Sequence, residues 1–169
     1  RGTPGTTLMA AAGAAAAAEL RRRWPTARRV VCVCGGGANG GDGRIALDVI
    51  QAAGKAARTT EEASLAEADV VIDALFGTGF HGEPREEAAG LIDAINASGK
   101  PIVSVDLPSG VDASTGEIAG ACVNATVTVT MHAPKVGLEV APGRFRAGEA
   151  VVADIGLGDV ETEHRLVTP

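Results

Sequence analysis

Arg29-Val-Val-Cys-Val-Cys-Gly-Gly-Gly-Ala-Asn-Gly-Gly-Asp-Gly43 is the segment from which the architecture of this chain is best inferred. It opens with a valine-rich run, which predicts a strand buried on both faces of a sheet. A glycine-dense loop over 35–43 follows, and apolar residues at helical spacing then predict a helix over 44–53. This order of elements can hold an anion, because the loop and the helix N-terminus present backbone N–H groups. The glycines are expected to supply positive φ and close approach to phosphate.

The glycine loop matches the dinucleotide-binding pattern Gly35-x-Gly37-x-x-Gly40, with Glu61 or Glu62 as the acid expected after the second strand. This match alone is weak in a chain that holds 23 glycines. Asn39 and Asp42 are also unusual inside a simple pyrophosphate cradle. No Gly-Lys-Ser/Thr sequence follows the loop, which excludes a nucleoside-triphosphate P-loop.

Strand and helix patterns alternate through the rest of the chain. Strands are predicted over 55–59, 70–73, 102–105, 126–131 and 151–154, and helical segments over 61–66, 86–96 and from an N-cap at Thr6 or Thr7 to Arg23. This rhythm predicts right-handed βαβ units, and therefore an α/β fold whose sheet is covered on both sides.

The bulk composition limits the class of protein. With 169 residues, 46% of them hydrophobic, the chain is long enough for one domain with a core of ordinary size. A net charge of −6 argues against nucleic-acid binding, which needs a clustered basic surface. No stretch resembles a membrane span or a signal peptide, so we expect a cytoplasmic protein without a membrane partner.

The three cysteines are expected to be buried, reduced thiols of a cytosolic protein. Cys32 and Cys34 lie two residues apart in the first strand, and we expect them to face opposite sides of the sheet and not to form a disulfide. No second Cys or His pair accompanies them or Cys122, so they predict no metal site.

Three loops are predicted to leave the C-terminal ends of parallel strands, the edge at which open α/β sheets bind ligands. The first is the glycine loop. The second begins at Asp73 and contains Gly77-Thr78-Gly79, and the third is Asp106-Leu-Pro-Ser-Gly-Val-Asp112. Asp106 taken alone is better explained as a cap of its turn. The convergence of three such loops on one edge predicts a functional site there.

Four ordered motifs resemble the YjeF N-terminal domain, the NAD(P)HX epimerase family. They are Gly-Gly-Gly-Ala-Asn-Gly-Gly-Asp-Gly (35–43), Asp-Ala-Leu-Phe-Gly-Thr-Gly (73–79), Val-Asp-Leu-Pro-Ser-Gly-Val-Asp (105–112) and Ala-Pro-Lys-Val-Gly-Leu (133–138). Leu8-Met9-x-x-Ala12-Gly13 is similar to the family's leading helix. The resemblance therefore covers nearly the whole chain.

The resemblance implies a Rossmann-like three-layer α/β/α sandwich with a mostly parallel central sheet, usually dimeric. It implies an isomerase that interconverts the R and S forms of hydrated NADH or NADPH. An ADP- or ATP-dependent dehydratase then restores the cofactor, in bacteria often as a second domain of the same chain. We expect the epimerase domain over 1–157. Residues 158–169 would be a linker or the start of a following domain, which His164 to Pro169 resembles.

The resemblance also assigns site residues. Asn39, Asp73 and Ser109 correspond to side-chain ligands of a monovalent cation, typically potassium. Asp106 corresponds to the substrate-contacting carboxylate. The two substrate-binding segments comprise Ala38, Asn39, Gly40, Gly41, Asp42, Gly77, Thr78, Gly79, Phe80, His81, Gly82 and Glu83. Two departures are that Ala38 replaces the first of two asparagines, and that the stretch between Asp42 and Asp73 is shorter than usual.

We expect Asp106 to act as the acid and base of the epimerisation, so that it is the catalytic residue. Two other functions stay open. An NAD-dependent oxidoreductase would need a catalytic His, Lys or Tyr, but tyrosine is absent and the three histidines are scattered. Lys135 is expected to tie down its loop. A non-catalytic nucleotide- or protein-binding module of the same fold is the second alternative.

Overall fold

The computed structural model describes residues 4–158, which form a six-stranded sheet in the order β2-β1-β3-β4-β5-β6 with every pair parallel. The strands are β1 (Arg29–Cys34), β2 (Ala56–Thr59), β3 (Val70–Ala74), β4 (Ile102–Val105), β5 (Val127–Met131) and β6 (Glu149–Ala153). The α-helices are α1 (Gly5–Arg23), α2 (Ala38–Ala52), α3 (Glu86–Ala97) and the short α4 (Val136–Glu139). Single 3₁₀ turns cover Leu65–Glu67 and Gly143–Phe145.

The central strands are covered on both faces, which confirms the three-layer α/β/α sandwich. On one face, apolar residues of β1, β3, β4 and β5 pack with α1 and α2. On the other face, apolar residues of β1 and β3 pack with α3. All residues of β3 and β5 are buried, as expected for strands inside a parallel sheet. No helix within residues 4–158 is both long and apolar enough to cross a membrane.

Helix α2 begins at Ala38, inside the glycine loop, six residues before the predicted start at Arg44. None of the glycines over 35–43 has positive φ, so the expectation that they supply it is wrong. They permit close packing instead. A Cβ on Gly40 would lie 1.9 Å from the Gly35 carbonyl oxygen, and one on Gly43 would lie 2.6 Å from Ala74 Cβ. The glycines therefore let α2 begin against the ends of β1 and β3.

Two other local expectations are wrong. Helix α1 begins at Gly5 with Pro4 as N-cap and no side-chain cap, so Thr6 and Thr7 lie inside its first turn. Cys32 and Cys34 lie on the same face of β1, with their sulfur atoms 3.3 Å apart. Side chains in a strand alternate, so residues two apart share a face. The three cysteines are free thiols.

The expected boundary at residue 158 is not tested. The segment from His164 to Pro169, expected to begin a further domain, lies outside the described residues.

Candidate functional site

The loops that follow β1, β3 and β4 meet at the C-terminal edge of the sheet around a cavity of about 590 Å³. Residues 36–39 and Asp42 line one wall, residues 75–81 line the other, and Asp106 also faces the cavity. These strands are neighbours in the order β1-β3-β4, so their ends lie side by side. The cavity is therefore at the edge that the sequence predicted.

Four residues of the expected substrate-binding segments lie outside this lining. Gly40 packs against Gly35, and a Cβ on Gly41 would lie 2.7 Å from the sulfur of Met9 in α1. Gly82 has a positive φ of 78° and Glu83 packs beside Gly120. Their part in substrate binding remains a prediction.

A larger cleft of about 1060 Å³ lies at the opposite edge of the sheet. Two of its charged side chains, Lys55 and Asp69, form hydrogen bonds with neighbouring segments. Lys55 Nζ donates to the carbonyl oxygens of Pro25 and Ala27, and Asp69 accepts from the backbone N–H groups of Arg28 and Arg29. These bonds join elements of the fold, so this cleft is not the candidate site.

Asp73 lies beneath the cavity, at 0% exposure in the middle of the sheet. Ser109 donates to its carboxylate through Oγ at 2.5 Å and through the backbone N–H at 2.9 Å. Ser104 Oγ donates at 2.8 Å, and the backbone N–H of Leu75 lies at 3.4 Å. Burial raises the pKa of Asp73, and the bonds from Ser109 and Ser104 oppose that rise.

Asn39 joins the same network through the backbone of Phe76. Asn39 Nδ2 donates to the Phe76 carbonyl at 2.8 Å, and the Phe76 N–H donates to Ser109 Oγ at 3.0 Å. Asn39 Oδ1 is buried and, within residues 4–158, has no hydrogen-bond partner. A buried oxygen without a donor needs a compensating partner, and a cation supplies one.

The donor set of this network consists of oxygens from an amide, a carboxylate and a hydroxyl. Hard cations prefer such ligands, whereas zinc prefers Cys and His. No group of three or more His, Cys, Asp or Glu residues within 4–158 could hold a metal ion. Asn39, Asp73 and Ser109 supply oxygens of this kind, and their part in binding a monovalent cation remains a prediction.

Asp106 reaches the cavity through an unusual backbone conformation, with a φ of 69°. Its N–H donates to the Val129 carbonyl at 2.7 Å, which anchors it to β5. The carboxylate Oδ2 accepts from the Thr78 N–H at 3.2 Å. A Cβ on Gly77 would lie 3.2 Å from that oxygen and 3.4 Å from Asn39 Cγ, so a glycine there allows the loops to approach closely.

The other oxygen of Asp106 faces Lys135. Lys135 Nζ lies 3.5 Å from Asp106 Oδ1, and Thr130 Oγ1 lies 3.3 Å from the same oxygen. Nζ also donates to the carbonyls of Met131 at 2.6 Å and Ala133 at 3.0 Å. Lys135 thus ties down its loop as expected, and it also places a positive charge beside Asp106, which the sequence did not reveal.

Asp42 provides a second carboxyl group in the cavity wall. It is half-buried, and desolvation together with the charge of Asp106 raises its pKa to about 6. The resemblance assigned this residue only to a substrate-binding segment. Its raised pKa depends on burial and on the nearby Asp106, and spacing along the chain reveals neither.

The rim of the cavity holds two further contacts. The rings of Phe76 and Phe80 stack with centroids 4.6 Å apart. His81 Nδ1 lies 2.7 Å from Asp112 Oδ2, and the hydrogen bond from His81 lowers the pKa of Asp112. The first contact lies within the loop over 76–81, and the second joins this loop to the loop after β4.

Residues 5–59 and 44–137 match the family described as YjeF-related protein N-terminus. The chain belongs to this family. Its fold is similar to the crystal structure of the yeast protein ynu0 (YNL200c), with a TM-score of 0.77 at 22% identity, over 95% of this chain and 82% of that one. At this level of identity the likeness shows a shared fold.

Relatives within the family carry two kinds of name. A protein of Limosilactobacillus fermentum named NAD(P)H-hydrate epimerase is 32% identical over 90% of this chain and 87% of its own length. A protein of Pyrobaculum aerophilum named bifunctional NAD(P)H-hydrate repair enzyme Nnr is 38% identical over 92% of this chain. The matched region spans 38% of that bifunctional relative.

Proposed function

We propose that this chain is an isomerase that interconverts the R and S forms of hydrated NADH or NADPH. The observation that carries the proposal is the convergence of Asp106, Asn39 and Gly77 in one cavity above a buried oxygen network. The name of the Limosilactobacillus fermentum relative, which matches over most of its length, supports the same activity.

The start of α2 gives the substrate its anion site. Residues 38–42 form the first turn of this helix, whose free N–H groups and dipole favour the diphosphate of a dinucleotide. The loop over 75–81 forms the facing wall, and its stacked rings, Phe76 and Phe80, border the cavity. The hydrated nicotinamide ring would then lie toward Asp106.

Epimerisation at C6 of the hydrated nicotinamide ring needs no redox change and no nucleoside triphosphate. In the proposed mechanism, Asp106 in its protonated form helps the C6 hydroxyl to leave as water, and the ring nitrogen lone pair stabilises the planar cation. Water then adds to the opposite face while Asp106 takes the proton back. Asp42 is a second proton carrier in the same cavity, because its pKa of about 6 lies near the working pH.

Potassium is the proposed cofactor, held by Asn39, Asp73 and Ser109. A bound monovalent cation would supply positive charge to the buried carboxylate and order the loops around the diphosphate. The buried Asn39 Oδ1, which no donor in the described part of the chain reaches, supports this assignment.

The activity test compares Asp106→Asn with wild type in an assay that follows conversion of purified R-hydrate to the S form by chromatography. We expect the rate to fall by about 10²–10⁴-fold, since removal of a general acid–base group has effects of that size. Asp93→Asn, an exposed carboxylate on α3, is the matched control and should retain full activity. A wild-type rate in Asp106→Asn would remove Asp106 as the acid and base.

The enzyme would also have a defined oligomeric state, compartment and partner activity. We propose a homodimer in the cytoplasm that supplies the S-hydrate to an ADP- or ATP-dependent dehydratase, either fused or separate. The bifunctional name of the Pyrobaculum aerophilum relative supports the coupling to a second activity. The free thiols suit a reducing compartment. Light scattering of the purified protein tests the dimer.

A further inference from the structure

The pair of thiols beneath the glycine loop has no part in the proposed epimerisation. Cys32 and Cys34 end β1 on the face that carries α2, and their sulfur atoms are 3.3 Å apart. Cys32 is completely buried, whereas Cys34 is only half-buried. The neighbouring edge strand β2 ends in register with Cys32, so β2 does not extend alongside Cys34. Small reagents can therefore reach Cys34, and the buried Cys32 lies directly beside it.

We propose that Cys34 is a site of reversible oxidation by hydroperoxides and that Cys32 is its resolving thiol. Redox-sensitive cysteines combine partial exposure with an adjacent thiol that can form the disulfide. This pair has both properties. Disulfides in reducing compartments are characteristically transient ones of this kind.

The electrostatic surroundings distinguish Cys34 from the other thiols. The hydrogen bond between Cys34 and Cys32 lowers the pKa of Cys34, and the Arg44 guanidinium adds to this effect, while burial and Glu61 oppose it. Burial raises the pKa of Cys32 and raises that of Cys122 to about 12. The thiolate, which is the nucleophile, is therefore favoured at Cys34.

The chemistry proceeds in two balanced steps. The Cys34 thiolate attacks the hydroxyl oxygen of a hydroperoxide ROOH, an S–O bond forms, the O–O bond breaks, and RO⁻ leaves and takes a proton from solvent. Cys34 becomes a sulfenic acid and the hydroperoxide is reduced to an alcohol or water. Cys32 sulfur then attacks Cys34 sulfur, the S–S bond forms, the S–O bond breaks, and the hydroxyl leaves as water with the Cys32 proton. A thiol reductant reverses the change.

Disulfide formation would change the candidate site by shifting α2, which packs on both sulfur atoms. The sulfur atoms must close from 3.3 Å to about 2 Å, and alternate residues of a strand lie about 6.6 Å apart at Cα, near the upper limit for a bridge. A bridge with the commonest Cα separation, about 5.5–6 Å, would require the end of β1 to contract. A Cβ on Gly43 of α2 would lie 2.9 Å from Cys32 Sγ and 3.3 Å from Cys34 Sγ, so this helix rests directly on the pair. Its first turn carries Asn39 and Asp42.

The test treats the folded, reduced protein with hydrogen peroxide and maps the cysteines by alkylation and peptide mass spectrometry. We expect a Cys32–Cys34 disulfide, with Cys34 oxidised at least about ten times faster than Cys122, the internal control. In Cys32→Ser, and equally in Cys32→Ala, the Cys34 sulfenic acid should persist and react with dimedone. Oxidation of Cys34 no faster than that of Cys122, or a disulfide between two chains instead, would overturn the proposal.

The consequence for activity rests on the proposed function and is measured separately. Peroxide should lower the epimerase rate of wild type several-fold, and dithiothreitol should restore it, whereas Cys32→Ala should retain its activity in the absence of oxidant. Formation of the disulfide without any epimerase activity in the reduced protein would refute the proposed function and leave the oxidation site standing. Full activity of the disulfide form would refute the coupling through α2.

Discussion

Replacement of Asp42 by Asn should stabilise the protein at neutral pH while it impairs the proposed reaction. Asp42 lines the cavity on α2, and its pKa is raised to about 6 because desolvation and the charge of Asp106 disfavour the carboxylate. In the unfolded chain the same group has a pKa of 3.8. The folded state therefore loses stability as pH rises from about 4 to about 6, and asparagine removes this loss.

The size of the effect follows from the shift of the pKa. At about 1.4 kcal/mol per unit, the difference between the two values amounts to about 3 kcal/mol as an upper bound. Since the group is only half-buried, solvent screening reduces the expected gain to about 1–2 kcal/mol. For a chain of this length, that corresponds to a rise in Tm of about 3–6 °C at pH 7.

The measurement is thermal unfolding of wild type and Asp42→Asn at pH 7 and pH 4 in the same salt. The difference in Tm should be present at pH 7 and much smaller at pH 4, where Asp42 is protonated in the folded state and only partly ionised in the unfolded chain. Asp48→Asn, an exposed carboxylate on the same helix, is the control and should leave Tm unchanged at both pH values. A loss of stability at pH 7, or an equal gain at both pH values, would refute the electrostatic reasoning.

Three further predictions concern packing and the cation. Gly77→Ala should lower the epimerase rate at least about tenfold, because its Cβ would press on the Asp106 carboxylate, and Gly79→Ala in the same loop, with open space around it, should not. Gly40→Ala should lower the free energy of unfolding in urea by about 2–4 kcal/mol through a backbone clash. Its control, Gly90→Ala on the exposed face of α3, should raise the free energy of unfolding by up to about 1 kcal/mol. Potassium chloride should raise Tm in a saturable way relative to an inert salt of equal ionic strength, and Asn39→Ala should abolish this increment.

The elements of the fold could be predicted because each strand is a short apolar run and each connection has its own helical pattern. Strands β1, β3 and β4 begin and end within one or two residues of their predicted bounds. The start of α2 could not be predicted in the same way. Glycines at 40 and 43 weaken a helix by propensity, but here they allow it to pack against strand ends, which is a tertiary effect.

The site residues were partly accessible from sequence. The motifs indicated Asn39, Asp73, Asp106 and Ser109, and the structure brings them to one edge of the sheet. The pKa of Asp42 and the approach of Lys135 to Asp106 depend on distances across loops, and no periodicity encodes them. The sequence is sufficient to predict that Cys32 and Cys34 share a face, because side chains two residues apart in a strand point to the same side. The expectation that they face opposite sides is wrong for this reason.

The register of the sheet supplies one of the hydrogen-bond donors to the buried carboxylate of Asp73. In the parallel register of β3 and β4, Asp73 lies directly beside Ser104, so the strand pairing brings a hydroxyl donor within 2.8 Å of the carboxylate. Ser109 supplies two more donors from the loop that continues β4. An unpaired carboxylate at this depth would cost several kcal/mol, and the hydrogen bonds offset only part of that cost. The carboxylate at the end of β3 therefore still favours a positive charge nearby. Hydrogen bonds through Ser109 and Phe76 link it to Asn39, whose Oδ1 has no partner within residues 4–158, and this is where we propose that the cation binds.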